Sequence, residues 1–373
     1  MIEISAVLVL VAVVIAGWYA LHPSTASTFA GRTDLASANK EGSDSSFRVL
    51  SISPSAETNV SANAPVVVHF SSSLPAHPVM PSLVPPTPGL WSEVGPSTLR
   101  FSPAAPYMPL TAVKLTVPGG HNGTVAKDGA TLRSSVSRSW VVENGSALRM
   151  QQLLAQLGYL PMHWTPASSS TGAITPLAQL YEPPAGTFSW SYANTPALLK
   201  AQFQPGTFDR MTIGAMVAFE RTHQMVVYTS VRAVVWPALL SAEQTSSDNP
   251  EGYSYAIVSK GTPETLTIWH NGSDVFTSLA NTGVAGARTP NGTYFVYLRR
   301  TFQYMAGTNP NGTSYDVPVS WINYFDGSDA IHGYPRASYG FPQSNGCVEI
   351  PVPNADVAYH DWMHYGTLVT VTT

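Results

Sequence analysis

A single cysteine, Cys347, stands in Ser344-Asn345-Gly346-Cys347-Val348-Glu349, fifteen residues after His332 of Ile331-His332-Gly333. A lone thiol cannot close an internal disulfide, so it is an inert core side chain, an intermolecular link or a nucleophile. Nucleophilic use needs the thiolate, and therefore a nearby base that takes or shares the proton. His332 is the candidate base, beside a glycine in a stretch rich in turn residues. Gly346 permits a sharp turn that bares both the thiol and the neighbouring amides. A base within reach of the sulfur contributes about 10²–10⁴ in rate. Losing one oxyanion donor costs about 10²–10³. A thioester hydrolyses slowly and yields to an amine, so the chemistry these residues suit is acyl transfer.

The order of the pair matters. Papain-like peptidases place Cys well before His, the reverse of this chain. Sortase-like enzymes place His first but need an Arg after the Cys, and none occurs between Cys347 and Thr373. No metal is expected: His360-Asp361 with nearby His364 is the one histidine group with ligand-like spacing.

The elements that must position these residues are mainly β. Residues 1–21 hold an apolar run from Ala6 to Leu21, long enough to read as a membrane anchor or an export signal. Residues 22–47 are rich in Ser, Thr, Ala and Gly and read as a flexible linker. Residues 48–143 alternate in period two, as in Val66-Val67-Val68-His69-Phe70 and Ala112-Val113-Lys114-Leu115-Thr116-Val117, which predicts a β-sandwich. Residues 144–242 carry three helical patterns: Leu148 to Leu157 capped by Ser146 and Gly158, Thr212 to Glu220, and Ser230 to Ser241. A Pro/Ser/Thr-rich insert, roughly 163–204, separates the first two. Residues 252–373 return to strands, with Asn271-Gly272 a hairpin turn and Asn291-Gly292 and Asn311-Gly312 further turns.

Charged residues are only 11% of the chain and the net charge is −4, without a Lys/Arg cluster. That excludes nucleic-acid binding driven by electrostatics.

Three blocks carry resemblances. Ser53-Pro54 to Phe70, Gly89-Leu90-Trp91 and Leu99-Arg100-Phe101-Ser102-Pro103 resemble bacterial immunoglobulin-like modules of cell-wall proteins. Leu157-Gly158-Tyr159-Leu160, Phe208-Asp209, Ala215-Met216-Val217-Ala218-Phe219 and Trp236-Pro237-Ala238-Leu239-Leu240 resemble a small peptidoglycan-binding helical module. From Tyr253 onward, Thr289-Pro290-Asn291-Gly292-Thr293-Tyr294-Phe295, Ile331-His332-Gly333, Ser344-Asn345-Gly346-Cys347-Val348 and Tyr365-Gly366-Thr367-Leu368-Val369 resemble the catalytic domain of YkuD-type L,D-transpeptidases.

That last resemblance implies Cys347 as nucleophile, His332 as base and the Gly333 carbonyl as the group that orients the imidazole. Ser344 begins the nucleophile loop, and the amides of Asn345, Gly346 and Cys347 would face the oxyanion. Trp321, Tyr324, Tyr334 and Tyr339 are candidate walls for a stem peptide, and Arg336 a candidate partner for its carboxylate. The family usually has His where Asn345 stands, and often Arg or Asn where Glu349 stands. The expected partners are peptidoglycan and, through the N-terminal segment, a membrane, with no cofactor and the catalytic domain outside the cytoplasm. The alternatives are an L,D-carboxypeptidase, in which water takes the acyl group, and a non-catalytic wall-binding protein.

Overall fold

Alternating burial builds the first half of the chain. The computed structural model describes residues 46–167 and 175–373, so the apolar run and residues 22–45 of the expected linker lie outside the described residues. Seven strands come first: β1 (Val49–Ser53), β2 (Val66–Phe70), β3 (Ser82–Val84), β4 (Gly89–Gly95), β5 (Thr98–Pro103), β6 (Ala112–Val117) and β7 (Val136–Val141). They form two sheets, ordered β1-β2-β5-β4 and β3-β6-β7. Val66, Val68 and Phe70 of β2 and Val113, Leu115 and Val117 of β6 are buried, while their neighbours are more exposed. Both sets share one core with Leu99, Phe101 and Trp140. Phe47 belongs to that core, 3% exposed and stacked on Phe70 at 5.4 Å. The linker expected through residue 47 therefore stops short of it.

Helices take over at Ala147: α1 (Ala147–Gln156), the one-turn α2 (Pro176–Gln179) and α3 (Ala197–Lys200), α4 (Arg210–Thr222) and α5 (Val235–Thr245). Met150, Leu153, Leu154, Met216, Phe219, Trp236 and Leu239 make their core. Ser146 stands at the start of α1 but makes no side-chain cap, whereas Asp209 caps α4 by accepting from the Thr212 amide at 2.7 Å. The third helix begins at Val235, five residues later than the apolar spacing suggests. Pro237 lacks an N–H and is tolerated only in a first turn, which fixes that start. The insert is structured too. Its strands β8 (Met162–Pro166) and β9 (Gly186–Trp190) pair antiparallel, and Phe188 and Trp190 pack on Phe203. Among the described residues no helix is long and apolar enough to cross a membrane.

The last part stacks two sheets. One, ordered β12-β11-β10-β18-β13, holds β10 (Ser254–Ser259), β11 (Thr265–His270), β12 (Ser273–Leu279), β13 (Gly292–Phe295) and β18 (Leu368–Thr372). Asn271-Gly272 forms the expected two-residue turn, because His270 pairs with Ser273. The other sheet, ordered β14-β15-β16-β17, holds β14 (Leu298–Thr308), β15 (Ser314–Asp326), β16 (Asp329–Gly333) and β17 (Val348–Ile350). Val258, Ile268 and Val369 meet Phe325, Val348 and Ile350 between the sheets. α6 (Val352–Val357) follows β17 and adds Ala355 to that core.

On its other face the five-stranded sheet carries Tyr255, Trp269, Phe295 and Leu368, all part of the helical core. The approach there is close. A Cβ on Gly366 would stand 2.1 Å from the Gly214 carbonyl of α4, and one on Gly214 would stand 2.8 Å from the Gly366 carbonyl.

Candidate active site

Strand pairing sets the two candidate reactive residues at the same end of one sheet. β16 and β17 run parallel, with Ile331 opposite Val348 and His332 opposite Glu349. Cys347 immediately precedes β17, one step before that ladder. Cys347 and His332 both line a cleft of about 420 Å³ at this end of the sheet. No other cysteine exists to compete for the role.

His332 is 3% exposed, and its Nδ1 lies 3.3 Å from the Gly333 carbonyl oxygen. A carbonyl only accepts, so Nδ1 carries the proton and Nε2 is left as the basic nitrogen. Burial lowers the imidazole pKa, opposed by the Glu349 carboxylate and the Gly333 carbonyl. The ring is therefore neutral near pH 7. Cys347 is partly buried, and burial pushes its thiol up to about 12. Asp329 and Glu349 add to that rise, while a hydrogen bond from the Ala330 main chain works against it. The sulfur donates to the Ser328 carbonyl at 3.8 Å. At rest the thiol and the imidazole are thus both neutral, and the sulfur's hydrogen bond goes to Ser328 rather than to His332.

The loop before β17 is held from several sides. Thr289 Oγ1 donates to the Gly346 carbonyl at 2.6 Å and accepts from the Gly283 amide at 2.9 Å. Gly346 has φ +119, and a Cβ there would meet Asp329 Oδ1 at 2.5 Å. Only glycine fits, by backbone angle and by space. Ser344 Oγ donates to the Cys347 carbonyl and accepts the Gly346 amide at 3.2 Å. This corrects the expected ring of three oxyanion donors: the Gly346 amide is spent inside the loop. Among the described residues the amides of Asn345 and Cys347 find no acceptor.

Of the expected substrate residues, Tyr324, Tyr334 and Arg336 line the cleft. Trp321 does not. Its φ of +58, within an irregularity of the β15–β16 ladder between Ser320 and Asn323, turns the indole away. It packs instead on Tyr359 at 5.5 Å and His360 at 4.7 Å. Tyr339 is also absent from the lining; its hydroxyl accepts from the Arg336 amide at 3.0 Å and donates to the Tyr334 carbonyl at 2.7 Å. Arg336 is occupied as well. Its Nε and Nη2 donate to the two Glu349 oxygens at 2.7 and 2.8 Å, and Nη2 reaches the Gln343 carbonyl at 3.2 Å. This bidentate pair also explains how an acid is accommodated at position 349.

Two features of the cleft escape the sequence reading. The first is the long β14–β15 hairpin, whose Tyr304, Met305, Tyr315 and Val317 form a wall of the cleft. Asn309 at its tip accepts from Asn345 Nδ2 at 2.7 Å, which ties the hairpin to the nucleophile loop. The Asn311-Gly312 turn was the available signal. The second is Asp329, a cleft acid for which no motif prepared us. His360 and His364 pair separately, with Asp356 at 2.8 Å and Glu251 at 3.5 Å. Among the described residues no group of His, Cys, Asp and Glu could hold a metal ion.

Residues 253–371 match the family described as the L,D-transpeptidase catalytic domain, YkuD. An L,D-transpeptidase from Mycobacterium smegmatis is similar over 88% of this chain and 99% of its own, at 13% identity and a TM-score of 0.30. L,D-transpeptidase 3 from Mycobacterium tuberculosis is similar over 87% of this chain and 98% of its own, at 14% identity and 0.29. The catalytic domain of the E. faecium L,D-transpeptidase covers 32% of this chain and 95% of its own, at 23% identity and 0.29. No curated protein matches the chain.

Proposed function

We propose, for a chain whose residues 253–371 are an L,D-transpeptidase catalytic domain of the YkuD family, that Cys347 cross-links peptidoglycan through a thioester. Its sulfur attacks the carbonyl of the third residue of a tetrapeptide stem. His332 Nε2 takes the thiol proton as the S–C bond forms and gives it to the departing D-alanine amine. With both groups neutral at rest, proton transfer belongs to the transition state, where a base is worth about 10²–10⁴ in rate. The Gly333 carbonyl keeps the proton on Nδ1, and the free amides of Asn345 and Cys347 are suited to the oxyanion. The acyl group then passes to the side-chain amine of a second stem. Tyr324 and Tyr334 offer flat walls that hold a flexible peptide at low entropic cost.

The observation that carries this reading is the parallel β16–β17 pairing that opens Cys347 and His332 onto one cleft. Incubation with disaccharide-tetrapeptide, followed by mass spectrometry, tests it. Cross-linked dimers are expected, and a carbapenem mass adduct that Cys347→Ala abolishes. Tripeptide alone would make the enzyme a carboxypeptidase; no product and no adduct would leave a wall-binding protein. The apolar run of residues 1–21 supports an envelope enzyme tethered at the membrane, with its cleft outside. Membrane-fraction retention that is lost on deleting residues 1–21 checks that part.

A further inference from the structure

Three charged side chains line the cleft: Asp329, Arg336 and Glu349. Arg336 and Glu349 neutralise one another as a bidentate pair. Asp329 has no cation: among the described residues it makes neither an ion pair nor a hydrogen bond. Its Oδ1 lies 2.5 Å from where a Cβ on Gly346 would stand, one residue from the nucleophile, and its charge is felt at the sulfur. Asp326 repels it further.

This arrangement is unfavourable by itself. A carboxylate beside a sulfur that must pass through an anion raises the barrier to forming that anion. It becomes useful only if something positive arrives. The donor half of the reaction brings an anionic stem and releases an amine. The acceptor half brings a side-chain amine that is a cation in water, and this amine must arrive at the very carbonyl that the sulfur holds.

We propose that the Asp329 carboxylate receives the ammonium of the acyl acceptor, and so favours an amine over water in the second half-reaction. The proposal rests on the transpeptidase reading. In that step the bound ammonium gives one proton to Asp329 and its nitrogen attacks the thioester carbonyl. The C–N bond forms and the C–S bond breaks. A second N–H proton passes through His332 to the sulfur, which restores the thiol. The proton on Asp329 leaves to solvent, so an ammonium and a thioester give an amide, a thiol and one proton.

The test compares parent, Asp329→Asn and Asp329→Glu by two readouts. The first is the rate at which Cys347 reacts with a cationic methanethiosulfonate relative to an anionic one. A unit charge several ångströms from the sulfur changes that ratio by about tenfold. The parent should favour the cationic reagent, Asp329→Asn should lose the preference, and Asp329→Glu should keep it. The second readout is the ratio of dimer to tripeptide from disaccharide-tetrapeptide, which should fall about tenfold in Asp329→Asn and recover in Asp329→Glu. An unchanged reagent preference in Asp329→Asn overturns the proposal, as does a changed preference with an unchanged product ratio. If the parent makes neither dimer nor tripeptide, the transpeptidase reading fails, and the reagent ratio alone still upholds or overturns the cation site.

Discussion

Replacing either member of the Arg336–Glu349 pair should weaken the protein, and replacing both should cost little more than replacing one. Fully buried ion pairs lose about 3–5 kcal/mol when one partner is removed, and exposed pairs about 0–1. Here Glu349 is 7% and Arg336 30% exposed, and the contact is bidentate. Arg336→Gln and Glu349→Gln should therefore each cost about 2 kcal/mol, well short of the buried limit because water reaches the guanidinium. The double variant should cost about 2 to 2.5 rather than 4, a coupling of about 1.5 or more. Urea unfolding of the parent and the three variants measures the cycle. The same proteins, assayed on a tetrapeptide stem, decide whether Arg336 has another partner. Additivity within about 0.5 kcal/mol would refute the pairing argument. So would an Arg336→Gln variant of parental stability with a raised KM, which would assign the guanidinium to the substrate's carboxylate.

Gly346→Ala should slow carbapenem acylation about a hundredfold. A non-glycine φ of this kind costs about 1–3 kcal/mol, and the added methyl collides with Asp329, so the nucleophile loop must move. An adduct that forms at the parental rate, timed by intact mass, would contradict this. Asp329→Asn should be more stable than the parent in a pH-dependent way. Burial and Asp326 raise the Asp329 carboxyl from 3.8 to about 6, so the folded state holds its proton more tightly than the unfolded chain. That stabilisation is complete below the unfolded value and is lost as pH rises through about 6. The two proteins should match at pH 4 and differ by about 1–2 kcal/mol at pH 8, part of the full linkage because the group is half-buried. Equal stability at both pH values in urea would refute it. Gly366→Ala should cost about 3 kcal/mol, since its methyl has backbone on one side and Ala218 on the other. Its activity per folded molecule should stay parental.

Much of the site was legible because it is local. Gly346-Cys347, Ile331-His332-Gly333 and Asn271-Gly272 each act through neighbours a few residues away, and the period-two runs of β2 and β6 bury the side expected. What was missed depends on distance or parity. Arg336 and Glu349 are thirteen residues apart, and only the fold of the intervening loop lets them meet. The aromatic type of Trp321 suggested a cleft wall, but one irregularity in β15 reverses which side a residue takes. The β14–β15 hairpin hid for a different reason. Its Phe302 and Tyr304 are exposed, so no core-facing alternation marks it.

The bare approach of Gly214 to Gly366 has a consequence for how this chain can be taken apart. Tyr255, Trp269, Phe295 and Leu368 are interior to the helices as much as to the sheet. Cutting near residue 250 would lay an oily plate open to solvent, so residues 253–371 should not be expressible alone without redesign of that plate. Grafting it onto a foreign helical partner would demand two positions without side chains at the seam, a condition that chance recombination seldom meets.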